Sequence, residues 1–458
     1  MKTTCSLVKV TLPLLAAVIY SSLVGAGPVE PPKQPLKAWM DDALNGKMGD
    51  IRDVTITKDR VEAERKELWS AYRAAATRAK WNEELLPVPP TIDALRKEGK
   101  KLQLKAGKLT SGELTMPYVL MAKGEKPATG WPMFICLHGG GKFYGKGETT
   151  AHGWSVNSRE WQAQMKLTAA VYKPTGLYFI PRMADDRLGR WWHKHNIDIF
   201  TRAIRNAILF NDVDPNKIYI MGISQGGYGS CHLAPFMADL FAAAGPMAGG
   251  MMTVTENLRN LPFRSDIGEK DTAYKRIDLA KALHKKIDEH KAADPAGYKN
   301  VLAIQKGRGH GIDYSLSPTW LAENTRNPYP EKIVWRCHQK HGIYRDSFYW
   351  ISLKKTPEKG EFSITATLDK EKNQVEITAT QIIPTAEKGQ KLTRKPLDAK
   401  NIRVHLNDSM LNLDGEIAVV INGKETFRGN VTRSRNAMMK SLVKRGDANY
   451  AFPVIINQ

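Results

Sequence analysis

The sequence predicts an α/β protein, a mostly parallel sheet with helices on both faces, followed by a small all-β, sandwich-like unit. Three observations carry this. From Trp131 onward short apolar strands alternate with helical stretches. Gly222-Ile223-Ser224-Gln225-Gly226 falls where one of these strands meets the next helix. After Tyr349-Trp350-Ile351 the alternation stops and strand-like runs take over. A chain of 458 residues has room for two or more such units.

Taken in order, residues 1–26 read as a secretory signal. Lys2 and Lys9 supply the charged start, Val10 to Val24 is an apolar run, and Val24-Gly25-Ala26 offers small residues for cleavage. A membrane anchor is the competing reading, but the run is short and Pro13 interrupts it. No later stretch is apolar enough to span a bilayer, so a secreted or periplasmic protein is expected. Residues 27–105 form an N-terminal helical extension. Its main element is Lys58 to Asn82, with Val61, Leu68, Tyr72 and Ala75 near one face, and Pro87-Val88-Pro89-Pro90 rules out its continuation.

Residues 106–355 hold the α/β unit. Lys108 to Lys123 reads as a hairpin, Met133 to Leu137 as a strand and Arg159 to Met165 as a helix. Leu177 to Ile180 is a strand and Asp198 to Asn211 a helix. Ile218 to Met221, Leu261 to Ile267 and Val301 to Ile304 are further strands. From about Thr356 to the end, Phe362 to Leu368, Val375 to Thr380, Ile402 to Leu406, Ile417 to Ile421 and Ala451 to Ile456 are strands. Asn422-Gly423 is a hairpin turn.

The composition is that of a water-soluble globular protein with a formal charge of +21. The basic residues are scattered, and no nucleic-acid-binding motif is present, so no nucleic-acid partner is expected. The charge fits either a basic surface tuned to its environment or attraction to an acidic polymer or anionic cell surface. Once Cys5 leaves with the signal, Cys136, Cys231 and Cys337 remain, in no metal-type spacing. Cys136 and Cys231 read as buried small hydrophobes. No metal and no cofactor is expected.

The chemistry concentrates at Ser224. Glycines two before and two after a serine let the chain turn sharply from strand to helix, lifting the hydroxyl clear of the sheet. Such a serine needs a base, an acid to orient it, and donors for the developing oxyanion. Asp271 lies in the loop leaving the Leu261–Ile267 strand, with Asp266 and Glu269 as competitors. His310 lies in Gly307-Arg308-Gly309-His310-Gly311 after the next strand. His284 and His290 sit on a Lys-rich helix that reads as solvated. Leu137-His138-Gly139-Gly140-Gly141 follows a strand and brings bare backbone N–H groups; Gly140 and Gln225 are the expected donors, with His138 bracing the loop. A phosphate-binding loop is excluded because Lys142 is followed by Phe143 rather than Ser or Thr. The short intervals between Ser224, Asp271 and His310 leave little room for a lid, so an open cleft is expected.

LHGGG at 137–141, VDPNKIYIMGISQGG at 213–227, NLPFRSDIGEKDTAY at 260–274 and GRGHG at 307–311 resemble the α/β-hydrolase superfamily. The resemblance covers roughly Trp131 to Ser317. It is nearest to the secreted esterases related to polyhydroxybutyrate depolymerases, feruloyl and acetylxylan esterases, and dienelactone hydrolases. It implies Ser224 as nucleophile, His310 as general base and Asp271 as orienting acid, acting on an ester such as one carried by a polysaccharide or other polymer. The plain triple glycine departs from the depolymerase pattern, where a polar residue often stands.

Trp191 and Trp192, in a polar stretch before a helix, are candidate substrate-binding residues; packing under the first helices is the alternative. Arg187 or Arg190 could bind a carboxylate, and Asp313 reads as a turn cap. Two other functions compete with the esterase. One is a peptidase resembling the prolyl oligopeptidase catalytic domain, for which the stretch ahead of the core is too short for a propeller. The other is a binding module without catalysis.

Overall fold

The computed structural model describes residues 35–140, 150–187, 189–384 and 392–457, apart from 48 and 50–52. Residues 1–26, read above as a signal, and Gly141 and Lys142 lie outside the described residues.

The chain opens with α1 (Leu36–Leu44), α2 (Val61–Arg78) and the short α3 (Ile92–Lys97). There follow β1 (Ala106–Ser111), β2 (Leu114–Lys123), β3 (Trp131–Leu137), α4 (Thr150–Ala170), β4 (Gly176–Pro181), α5 (Lys194–Phe210), β5 (Val213–Ile223) and α6 (Gln225–Phe236). Next come β6 (Ala243–Met247), β7 (Phe263–Gly268), α7 (Arg276–Ala293), β8 (Asn300–Gln305) and α8 (Leu316–Ala322). The last part holds β9 (Lys332–Cys337), β10 (Ser347–Phe348), β11 (Ile351–Leu353), β12 (Glu361–Asp369), β13 (Gln374–Pro384), β14 (Leu392–Pro396), β15 (Ile402–Leu406), β16 (Ile417–Ile421), β17 (Lys424–Gly429), α9 (Arg435–Arg445) and β18 (Val454–Asn457).

Strands β1 to β8 form one sheet in the order β1-β2-β4-β3-β5-β6-β7-β8. The first two join antiparallel, and from β4 onward every pairing is parallel. Central strands of such a sheet are covered on both faces. Accordingly every residue of β3 and β4 is buried. The strand order, the crossovers and the strand-turn-helix at β5–α6 define an α/β-hydrolase fold.

The last part of the chain builds two more sheets, β10-β11-β15-β18 and β17-β16-β13-β12-β9, with β14 added to β13. It departs from the sequence reading in two ways. It begins near residue 332, not at Thr356, because β9 pairs with β12 over Phe362↔Cys337 to Thr367↔Lys332. The alternation of β9, with Ile333, Trp335 and Cys337 inward, is that of a half-covered antiparallel strand. It is also not all-β, since it contains α9, whose apolar residues face α1 and α2. Met438, Met439, Leu442 and Val443 have helical spacing between the Ser434 N-cap and Gly446, a signal that the reading of this stretch as strands passed over.

One hydrophobic core runs through both the α/β sheet and these later sheets, from Ile135 and Phe236 to Tyr349, Ile364 and Val404. The ties are polar as well. Buried Asp239, just after α6, takes hydrogen bonds from Arg345 at 2.9 Å and from Arg445. Arg326 pairs with Asp447 at 2.5 Å. At the other end of the chain, Trp39, Leu68 and Tyr72 of α1 and α2 pack with Met438, Met439 and Leu442 of α9. No helix among the described residues is long and apolar enough to cross a membrane.

Candidate active site

Strand β5 ends at Ile223 and α6 begins at Gln225, which leaves Ser224 alone in the turn. Its φ of 56° and ψ of −112° are strained for an L-residue. The neighbouring glycines are compelled by space. A Cβ on Gly222 would lie 2.4 Å from the backbone of Gly226. One on Gly226 would lie 2.2 Å from the carbonyl oxygen of Leu137, and one on Gly227 2.7 Å from that of Met247. The Ser224 N–H donates to the Met247 carbonyl at 2.9 Å, which pins the turn to β6.

The loop after β8 brings His310 over this serine. Its Nε2 is 3.1 Å from Ser224 Oγ, and its Nδ1 is 2.8 Å from Asp271 Oδ2. With Nδ1–H donating to the carboxylate, Nε2 is left to accept the serine hydroxyl proton. The imidazole is 45% exposed while the Asp271 side chain is 2% exposed. The relay therefore runs from an open surface to a buried charge. Neither competitor for the acid faces the histidine. Asp266 is held by Arg264 at 2.7 and 2.9 Å, and Glu269 accepts the N–H of Gly307 at 2.8 Å.

Two further residues complete the relay. Arg276 Nη1 donates to Asp271 Oδ1 at 2.7 Å, and its Nε donates to the Tyr228 hydroxyl at 2.9 Å. Asp271 thus has one oxygen on His310 and the other on a nearly buried guanidinium. The faint signals for these residues were positional. Tyr228 stands one helical turn after Ser224, and Arg276 opens the helix that follows the acid loop.

The glycine loop after β3 lies beside the serine. A Cβ on Gly139 would be 3.5 Å from Ser224 Cβ, and Gly140 has a φ of 82°. The Gln225 N–H is in the first turn of α6, where the helix supplies no acceptor. Gly139 and the first turn of α6 thus flank the serine, while Gly140 lies against Asn157 and Glu160. His138 braces this loop: its Nε2 accepts the Met183 N–H at 3.0 Å, and Nδ1 bonds the Gly139 carbonyl. Complete burial pushes its pKa down to about 3, so it stays neutral.

Trp191 is not a substrate-binding residue. It is fully buried, its indole N–H bonds the His138 carbonyl at 3.2 Å, and Gly229 leaves room for its ring. It forms the floor of the glycine loop. Trp192 is half-buried, with its ring 4.1 Å from that of His232 and Arg190 above it at 5.9 Å. His284 is likewise not solvated. It is 2% exposed and bridges Ser265 Oγ and Asn300 Oδ1 at 2.8 and 2.9 Å. The lysines of α7 occupy the outer face and hide this inward histidine in the sequence. His290 bonds Thr255 Oγ1 at 2.9 Å and stacks on Tyr298. Asp313 accepts the Ser315 N–H at 2.9 Å. Among the described residues no cluster of His, Cys, Asp and Glu is arranged to hold a metal. Cys136, Cys231 and Cys337 are buried free thiols.

No known protein family and no curated protein matches the sequence. Among solved structures the chain is similar to a thermostable esterase, 22% identical over 49% of this chain and 63% of that one, with a TM-score of 0.35. It is similar to a poly(3-hydroxybutyrate) depolymerase from Bordetella parapertussis, 13% identical over 48% of this chain and 89% of that one, TM-score 0.32. A protein described as a dipeptidyl aminopeptidase IV from Bacteroides ovatus matches at 14% identity over 48% of this chain and 34% of its own, TM-score 0.32. Likenesses this distant carry nothing about activity, and the chemistry rests on the geometry of the site.

Proposed function

We propose that the protein is a serine hydrolase of carboxylic esters, exported from the cell and acting on acyl groups of an environmental substrate such as a decorated polysaccharide. The observation that carries this is the unbroken relay Ser224–His310–Asp271 at 3.1 and 2.8 Å, set on a strained turn beside the Gly139-Gly140 loop.

In this reading Ser224 Oγ attacks the ester carbonyl carbon while His310 Nε2 takes its proton. The resulting oxyanion is met by the N–H groups of Gly140 and Gln225. The tetrahedral species collapses, His310 gives its proton to the departing alcohol oxygen, and an acyl-Ser224 remains. Water, deprotonated by His310, then releases the acid and restores the serine. Asp271 stays ionised throughout, holds the imidazole by Nδ1 and stabilises its cationic form. Arg276 holds Asp271.

The test is fluorophosphonate labelling of the wild type and of Ser224→Ala, with p-nitrophenyl esters, acetylated and feruloylated sugars and peptide amides as substrates. Labelling and ester turnover confined to the wild type are expected. Labelling that survives Ser224→Ala would falsify the nucleophile. Cleavage of amides without esters would make the protein a peptidase, and an unlabelled, inactive wild type would make it a binding module.

A further inference from the structure

The glycine loop is bordered by a carboxylate that the proposed chemistry does not use. Glu160 lies on α4, which passes beside this loop. A Cβ on Gly140 would lie 3.2 Å from Glu160 Cγ. One on Gly139 would lie 2.9 Å from Glu160 Oε2 and 3.5 Å from Ser224 Cβ. The stem of Glu160 therefore runs along Gly140, and its carboxylate borders the same small space over Gly139 as the serine does.

This face of α4 is held from both sides. Three residues before Glu160, the buried Asn157 donates from Nδ2 to Asp186 Oδ1 at 2.7 Å. One residue after it, the Trp161 indole N–H donates to the Ile180 carbonyl at 2.9 Å. The carboxylate is also felt on the histidine loop. Tyr314 donates its hydroxyl to the His310 carbonyl at 3.2 Å; burial pushes its pKa up, and the charges of Asp271 and Glu160 add to this. What Glu160 lacks is a counter-charge. Among the described residues its one paired cation is Arg159, with Nε 4.0 Å from Oε1 and a side chain 72% exposed. A pair that long and that open is worth little. Oε2, the oxygen over Gly139, has no hydrogen bond among the described residues.

Such a charge opposes the reaction. The oxyanion formed at the glycine loop is negative, and a second negative charge nearby raises its energy unless a cation offsets both. Resting on the proposed ester hydrolysis, the chemistry says which half of the substrate can bring that cation. His310 hands its proton to the departing alcohol oxygen, so the alcohol half lies on the histidine side. The acyl half is left to the side of the glycine loop and Glu160. We infer that Glu160 is a specificity residue for the acyl half, and that the acyl group it selects carries an ammonium close to the carbonyl carbon, as in an aminoacyl ester. The ammonium pairs with Oε2 and stands beside the oxyanion, so one cation offsets both negative charges. A neutral acyl group leaves the two facing each other.

The experiment keeps the alcohol and the acyl shape constant and changes only the charge. kcat/KM is measured at about pH 6.5, where the amine is protonated, for the p-nitrophenyl esters of glycine and of propionic acid. These differ by an ammonium in place of a methyl group. The wild type and Glu160→Gln are compared, and each rate is divided by that of hydroxide-catalysed hydrolysis of the same ester, which removes intrinsic reactivity. The wild type is expected to favour the glycyl ester about tenfold. In Glu160→Gln that preference is expected to vanish, while propionyl turnover rises as the charge beside the oxyanion is removed. A wild type without the preference overturns the inference alone, whether or not the variant folds. So does an active variant that keeps the preference, and so does an equal loss of both esters, which would make Glu160 a support of the glycine loop. A wild type inactive on every ester overturns the ester reading itself, and this inference with it.

Discussion

A single methyl group at Gly226 tests the packing of the site without touching any of its polar groups. In Gly226→Ala the new Cβ would lie 2.2 Å from the Leu137 oxygen, 2.6 Å from the Leu137 carbonyl carbon and 2.9 Å from the His138 oxygen. All three are backbone atoms at the end of a fully buried strand, so no side chain can swing aside. Ordinary contact begins near 3.4 Å, so β3 and α6 must part by about 1.2 Å. That parting moves Gly139 and Gly140 away from Ser224. Overpacking of this kind costs about 1–3 kcal/mol of stability. A displacement of ~1 Å between reacting groups costs about 100-fold in rate. The expected result is a kcat/KM for p-nitrophenyl acetate lower by about 100-fold, slower fluorophosphonate labelling by a similar factor, and a melting midpoint lower by a few degrees. A Gly226→Ala enzyme with wild-type kcat/KM and an unmoved midpoint would refute the close seating of the elbow against the glycine loop.

Asp271→Asn keeps the shape but loses the charge that fixes the His310 tautomer, and kcat is expected to drop about 10⁴-fold, measured by ester hydrolysis with KM nearly unchanged. Arg276→Met frees one Asp271 oxygen in a buried position, and kcat is expected to fall about 10- to 100-fold with the proton-inventory and pH profile of kcat altered, a readout that mere loss of stability would not move. Burial pushes the pKa of His138 and His405 down to about 3 and that of His193 down to about 4. The unfolded chain therefore binds more protons below the ordinary histidine pKa of about 6.5. Stability should be full above that pH and decline from about pH 6.5 toward pH 4, checked by melting midpoints across the range. Asp239→Asn strips the partner from Arg345 and Arg445 and leaves buried charge uncompensated, at about 3–5 kcal/mol, so denaturant unfolding should shift sharply.

The candidate site was legible because each of its parts is tied to a local pattern. Gly222 and Gly226 mark a turn that tolerates no side chain, and Asp271 and His310 each follow a recognisable strand. The later sheets were harder to read, because a strand's partners are not written in the strand itself. Residues 332–337 have the alternation of a half-buried strand wherever they pair, and only the structure assigns them to β12. Trp191 misled for a related reason. A tryptophan in a polar, glycine-containing stretch looks exposed until the cavity left by Gly229, far along the chain, is seen to receive it. Arg276 and Tyr228 escaped notice because their roles depend on two helices approaching, which no spacing reports. His284 was hidden by the lysines that share its helix.

The contacts between α1, α2 and α9 join residues 36–78 to residues 438–451, almost the whole length of the chain apart. Asp239, beside the helix that follows Ser224, likewise waits for Arg345 and Arg445. Loops this long close slowly, and what they close must stay unfinished until they do. A chain emerging from the ribosome or a translocation pore with its nucleophile already formed would therefore still be inactive. Full hydrolytic competence should appear only once the segment around residue 445 is free to dock. Nascent chains arrested short of that point should fail to label with fluorophosphonate.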